Sequence, residues 1–130
     1  LYLHGGGYLV GSPALYRPLA GTLAARLSAP VYTLHYRLAP EHPYPAALDD
    51  SYAAYQALRD AGHDPERIAI MGDSAGGNLT VALLQRLRAE GMPLPASAVL
   101  LSPWGQLGGN SPSRRAHAHK EAMLQTDRLE

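Results

Sequence analysis

The stretch Gly72-Asp73-Ser74-Ala75-Gly76-Gly77 limits what this chain can fold into more than any other. An apolar run, Ile68-Ala69-Ile70-Met71, precedes it, and a helical pattern starting near Asn78 follows it. A strand, a sharp turn carrying a serine, then a helix is the G-x-S-x-G arrangement of a nucleophile elbow. A serine hydroxyl is a poor nucleophile at neutral pH and has to be lifted into reach of a base. A tight turn does the lifting. Gly72 and Gly76 carry no Cβ, so strand and helix can approach. The start of the following helix offers unpaired N–H groups and a partial positive charge to a developing oxyanion. Read alone, the same pentad also describes an ordinary Gly/Ser turn.

Elsewhere the pattern alternates between strand and helix, which points to an α/β architecture with a parallel sheet. Leu1–Leu3 reads as a first strand. Leu15, Leu19, Leu23 and Leu27 mark one apolar helix face, with Pro30 beyond its end. Val31–Tyr36 is β-branched and aromatic and reads as a second strand. Pro45 suits the first turn of the next helix, whose face is Leu48, Tyr52, Tyr55 and Leu58 and which Gly62 ends. Arg67–Met71 is the third strand. Leu79, Leu83, Leu84 and Leu87 define the helix after Ser74, closed by Gly91. Ala96–Leu101 is the fourth strand. Beyond Trp104 the periodicity fades into a loop over Gly105–Ser113, with a short helix expected around Lys120–Leu129.

The bulk composition narrows the function. The 130 residues suffice for one modest domain. Eleven basic residues balance eleven acidic ones, which argues against nucleic acid or an acidic membrane surface as partner. There is no cysteine, hence no disulfide, thiolate metal site or thiol redox role. No apolar run approaches the roughly 20 residues of a membrane span. No targeting segment is visible, and a cytoplasmic location is the expectation. Leu1 lies at or inside a strand without a starting methionine, so residues are expected to precede it.

Two further segments bear on Ser74. Leu1-Tyr2-Leu3 runs into His4-Gly5-Gly6-Gly7, and an HGGG loop after a strand supplies the other half of an oxyanion hole in lipases and esterases. Successive glycines let backbone N–H groups face a substrate oxygen without side-chain clash. The third segment is Tyr36-Arg37-Leu38-Ala39-Pro40-Glu41-His42-Pro43-Tyr44-Pro45-Ala46-Ala47. Its three prolines fix φ and remove donors, so it reads as an ordered, extended connection.

Together with Ser102-Pro103-Trp104, these three motifs resemble, in order and approximate spacing, the hormone-sensitive-lipase-like carboxylesterases of the α/β-hydrolase fold, the bacterial members above all. The resemblance runs from Leu1 to about Trp104. It implies one partial α/β-hydrolase domain over residues 1–130, holding about four central strands of an eight-stranded sheet and three crossover helices. It implies Ser74 as nucleophile and the N–H groups of Gly6, Gly7 and Ala75 as oxyanion hole, with His4 and Gly5 shaping the loop. The family's catalytic Asp and His would lie beyond Glu130, and its cap helices before Leu1. No metal or organic cofactor is implied. The substrate would be a small-molecule ester with a short acyl chain, cleaved through an acyl-enzyme. The 130 residues alone would be nearly inactive, lacking the base. Gly105-Gln106-Leu107 departs from the family, which usually carries an acidic residue near Gln106. Alternative readings on the same scaffold are a non-catalytic ligand-binding protein, as in the plant gibberellin receptors, or an amidase, deacetylase or lactonase.

Other residues invite chemistry less well. Asp73 adjoins Ser74, but an elbow points neighbouring side chains apart, so a structural role is expected. Glu41 and His42 fit a scaffold loop beside the site better than an acid–base pair. Asp49 and Asp50 are adjacent helical positions that do not share a face, so tethering or exposure is expected rather than a metal site. Tyr8 is placed either in the substrate pocket or in the core. His117 and His119 lack a strand pattern and a third ligand. A triad of Ser74, His119 and Asp127 has the wrong order for this fold, which runs Ser, acid, His.

Overall fold

The computed structural model describes residues 1–105. The chain runs β1 (Tyr2–Leu3), α1 (Pro13–Leu27), α2 (Ala46–Asp60), a 3₁₀ turn (Pro65–Arg67), β2 (Ala69–Asp73), α3 (Ala75–Ala89) and β3 (Ser97–Leu101). The three strands form a parallel sheet in the order β1-β2-β3. Tyr2 lies opposite Met71, and the five residues of β2 pair with Ser97 to Leu101 in register. Strands joined through helices and paired in parallel make this an α/β architecture, as expected from the sequence.

The second expected strand, Val31–Tyr36, is not one. A single parallel bridge joins Thr33 to Tyr2, with Tyr2 N–H donating to the Tyr32 carbonyl and Leu34 N–H to the Tyr2 carbonyl. The reason is the partner: β1 pairs over two residues only and then turns into the glycine loop, so the extended segment has almost nothing to ladder against. The third strand is displaced by two residues from its expected span. Asp64 caps the turn before it by accepting from Glu66 N–H, and Gly72 and Asp73 stay in the ladder because Leu100 and Leu101 lie opposite. α3 begins at Ala75, three residues earlier than expected, directly behind Ser74.

The core forms between the sheet and the paired helices α2 and α3. Leu3, Tyr36, Tyr55, Ile68, Ile70, Leu79, Leu83 and Leu87 form one buried cluster. Fully burying a leucine contributes roughly 1.5–3 kcal/mol, so the Leu79/Leu83/Leu87 stripe is the main hold of α3. The two large buried phenols keep their hydroxyls satisfied, Tyr36 on the His4 carbonyl (2.6 Å) and Tyr55 on the Pro93 carbonyl (2.8 Å). The leucine face of α1 behaves otherwise. No residue of α1 is buried, and Leu15 is 73% exposed. Leu79, Leu83 and Leu87 have the same four-residue spacing and are buried on α3, so spacing alone does not decide burial: on α1, Leu19 and Leu27 stay exposed as well among the described residues.

Candidate active site

The parallel register carries the end of β2 to one end of the sheet, and Ser74 is the residue at which the chain turns from β2 into α3. Its backbone sits at φ 51° and ψ −117°. A non-glycine residue at positive φ costs of the order of 1–3 kcal/mol and persists only where its surroundings hold it. The surroundings do so here. Ser74 N–H donates to the Leu101 carbonyl (3.0 Å), and its carbonyl accepts from Asn78 N–H (3.1 Å) and Trp104 N–H (2.9 Å). The side chain is exposed.

The helix behind the turn opens Ala75-Gly76-Gly77, poor helix formers whose use is space. A Cβ on Gly76 would run into the carbonyls of Leu3 and His4, and one on Gly77 would meet Pro103. The first turn of α3 therefore lies directly on the start of the glycine loop. Ala75 is the first helical residue, where no intrahelical acceptor exists for its N–H.

The glycine loop folds back on itself, with Leu9 and Val10 N–H both donating to the Gly6 carbonyl. Gly6, Gly7 and Tyr8 have φ of 121°, 64° and 65°. Among the described residues neither Gly6 nor Gly7 N–H has an acceptor. His4 is 2% exposed, and its ring stacks on Tyr36 at 4.2 Å. His4 Nδ1 is 2.7 Å from the Gly5 carbonyl. A carbonyl only accepts, so Nδ1 carries the proton and Nε2 is the bare nitrogen, buried without a partner among the described residues. Burial holds the His4 pKa below its ordinary value, against the opposing pull of the Gly5 carbonyl.

Two side chains next to the elbow, Asp73 and Asn78, knit these segments together, and sequence reasoning assigned no role to Asn78. The Asp73 carboxylate accepts from Tyr2 Oη and from Gly5 N–H at Oδ1, and from Tyr16 Oη at Oδ2, each at 2.9 Å. Burial, then the bond to Asp73, pushes the Tyr2 and Tyr16 phenols above their ordinary range. On the other side, Asn78 accepts from Tyr8 Oη (2.7 Å) and donates to the Trp104 carbonyl (2.8 Å). Tyr8 also packs against the core cluster, and burial raises its phenol to about 12. A structural role for Asp73 was legible; the identity of its partners, 57 to 71 residues away in sequence, was not.

The remaining candidates lie elsewhere. Asp49 and Asp50 diverge as adjacent helical residues should, Asp49 pairing with Arg86 on α3 and Asp50 gripping the Arg37 backbone and guanidinium. Glu41 and His42 are exposed on the proline-rich loop. Gln106, His117, His119, Asp127 and the helix expected at 120–129 lie outside the described residues. A cavity of about 500 Å³ opens at the opposite end of the strands, bordered by Leu1, Leu23, Leu27, Leu58, Ile68 and Met71, with no residue of the elbow or the glycine loop in its wall.

A parallel sheet ending at Ser74, with a glycine loop laid against the helix behind it, is an arrangement of the α/β-hydrolase fold. A family profile described as alpha/beta hydrolase fold matches residues 1–130, and the chain belongs to that family. Its relatives make the placement narrower. It is 48% identical over 126 residues to an acetyl-hydrolase of Streptomyces hygroscopicus, covering 97% of this chain and 42% of that protein. It is 40% identical over 129 residues to an esterase of Acinetobacter venetianus, covering 99% of this chain and 43% of the relative. Among solved structures, an esterase from the bacterial hormone-sensitive lipase family superposes with a TM-score of 0.89 at 45% identity, over 98% of this chain and 43% of that one. The chain thus spans less than half the length of these relatives.

Proposed function

We propose that this chain carries the nucleophile and oxyanion hole of a serine carboxylesterase acting on short-acyl esters. The observation that carries the reading is the Ser74 backbone, held at φ 51° at the junction of β2 and α3 with its side chain exposed. A fold spends conformational energy in this way where a side chain has to project. The acetyl-hydrolase and esterase names of the relatives support the substrate class.

In this reading Ser74 Oγ attacks the ester carbonyl carbon while a base takes its proton. The carbonyl oxygen becomes an oxyanion received by the N–H groups of Gly6, Gly7 and Ala75. The carbon–oxygen bond to the alcohol then breaks, the alcohol leaves with the proton, and a water repeats the sequence to release the acid. His4 does not serve as base: its Nδ1 proton is committed to the Gly5 carbonyl and its ring is enclosed. The base and its carboxylate partner are assigned to residues outside 1–105, after the nucleophile as this fold orders them.

The test is to express the whole reading frame and to assay short-acyl p-nitrophenyl esters, with a fluorophosphonate as covalent probe. The expected result is turnover in the wild type, phosphonate mass on the Ser74 peptide, and loss of both in Ser74→Ala. Turnover that persists in Ser74→Ala overturns the reading.

A further inference from the structure

The two halves of the oxyanion hole stand on different stretches of chain. Gly6 and Gly7 follow β1, while Ala75 follows β2. Their N–H groups help a tetrahedral oxygen only if both halves are held to within about half an ångström of a common point. The parallel pairing of β1 and β2 reaches only Leu3 opposite Gly72. Beyond that register no backbone hydrogen bond joins Gly5, Gly6 or Gly7 to residues 73–78 among the described residues. Side chains bridge the gap: Asn78 holds Tyr8, just past the glycines, and Asp73 holds Gly5 at their start. Asp73, the peptide neighbour of Ser74, accepts the Gly5 N–H directly, and Tyr16 Oη stands 3.1 Å from the same nitrogen while donating to the other carboxylate oxygen. The fit is close enough that a Cβ on Gly5 would overlap the Asp73 carboxylate.

From this geometry we infer that Asp73 is a positioning residue of the oxyanion hole, fixing Gly6 and Gly7 relative to Ser74 and Ala75 through the Gly5 N–H. The inference rests on the reading of Ser74 as nucleophile. An acidic side chain one residue from a developing oxyanion is electrostatically unfavourable, so its use here calls for a reason. Acceptor capacity supplies one. A carboxylate offers two oxygens and about four lone-pair sites and donates nothing. It can therefore take Tyr2, Tyr16 and the Gly5 amide at once and direct the loop from three sides. Charge-assisted bonds of this kind are also stronger than neutral ones, which suits a tether that must not fluctuate. The negative charge is spread over three donors instead of facing the substrate.

The experiment uses the whole reading frame with Asp73→Ala, Asp73→Asn and the double variant Tyr2→Phe/Tyr16→Phe. Three quantities are read: the rate of fluorophosphonate modification of Ser74, kcat and KM for a short-acyl p-nitrophenyl ester, and amide exchange across residues 4–11. Asp73→Ala is expected to lower kcat and the modification rate about 100-fold, comparable to losing one oxyanion donor, with KM changed little and exchange at Gly5 accelerated. Asp73→Asn is expected to recover part of the rate, because Asn Oδ1 still accepts the Gly5 N–H while its amide nitrogen cannot accept from Tyr16. Wild-type rates in Asp73→Ala, or an Asn variant as slow as the Ala variant, overturn the inference. If Asp73→Ala does not fold, the double tyrosine variant decides: about a tenfold loss in kcat supports the tether and an unchanged kcat overturns it. A wild type that neither turns over ester nor takes the phosphonate refutes the nucleophile reading instead, and Gly5 exchange in the variants then judges the tether by itself.

Discussion

Gly76 shows how one missing methyl sets the site. It occupies the second position of α3, where alanine would favour the helix by about 1 kcal/mol, yet its Cβ would collide with two carbonyls of the strand-to-loop junction. Gly76→Ala is expected to destabilise the fold by about 1–3 kcal/mol, in the range of core overpacking, as measured by urea unfolding. A variant more stable than wild type would mean that the junction yields. His4 permits a second residue-scale test. Its folded pKa lies below the ordinary value of 6.5 because burial disfavours the charged ring. The folded state therefore favours neutral His4, and its contribution to stability is complete above pH 6.5 and is lost as pH falls through the lowered value. Unfolding free energies measured across that window should fall with acid in the wild type and fall less steeply in His4→Asn. Equal slopes would remove His4 from the account.

At the scale of elements, Asn78 joins three of them: the glycine loop through Tyr8, the elbow through its own backbone, and the segment after β3 through the Trp104 carbonyl. A double-mutant cycle of Asn78→Ala and Tyr8→Phe should show a coupling of about 0.5–3 kcal/mol in unfolding, as contacting residues do; additive effects would show that the bond carries no energy. The elements were legible from sequence to the degree that local pattern determines them. α2 and α3 were readable because Leu48, Tyr52, Tyr55 and Leu58, and Leu79, Leu83 and Leu87, follow the 3.6-residue period against a real core. Val31–Tyr36 has the composition of a strand but a partner only two residues long, and composition does not report the length of a partner. The start of α3 at Ala75 was hidden because Gly76 and Gly77 read as turn residues, although packing against Leu3, His4 and Pro103 makes them helical. The position of Ser74 was legible because strand, turn and helix there are contiguous. Its tether through Asp73 was not, because Tyr2, Gly5 and Tyr16 meet it only once the sheet has formed.

For the molecule as a whole, β3 is the exposed flank. All five of its residues are exposed, Val99, Leu100 and Leu101 by 37–42%, and among the described residues its outer edge has no strand partner. An apolar strand with a bare edge is a template for pairing with other chains. The 130-residue chain is expected to associate in a concentration-dependent manner in analytical ultracentrifugation, and Leu100→Lys to shift it toward monomer. A monomeric wild-type chain at high concentration with a sharp, cooperative melt would refute this.

The bond between Asp73 and Gly5 also bears on the order of folding. It spans 68 residues, and closing a loop of that length costs about 4 kcal/mol in chain entropy by the logarithmic law. The return for that cost comes from the Tyr36, Tyr55 and Leu79/Leu83/Leu87 core, because the tether is too small to meet it. The loop and the elbow are therefore expected to come together late, after both helices have docked on the sheet. A refolding chain would regain its helical circular dichroism first and the reactivity of Ser74 last, so the appearance of phosphonate-reactive serine would time the final step of folding.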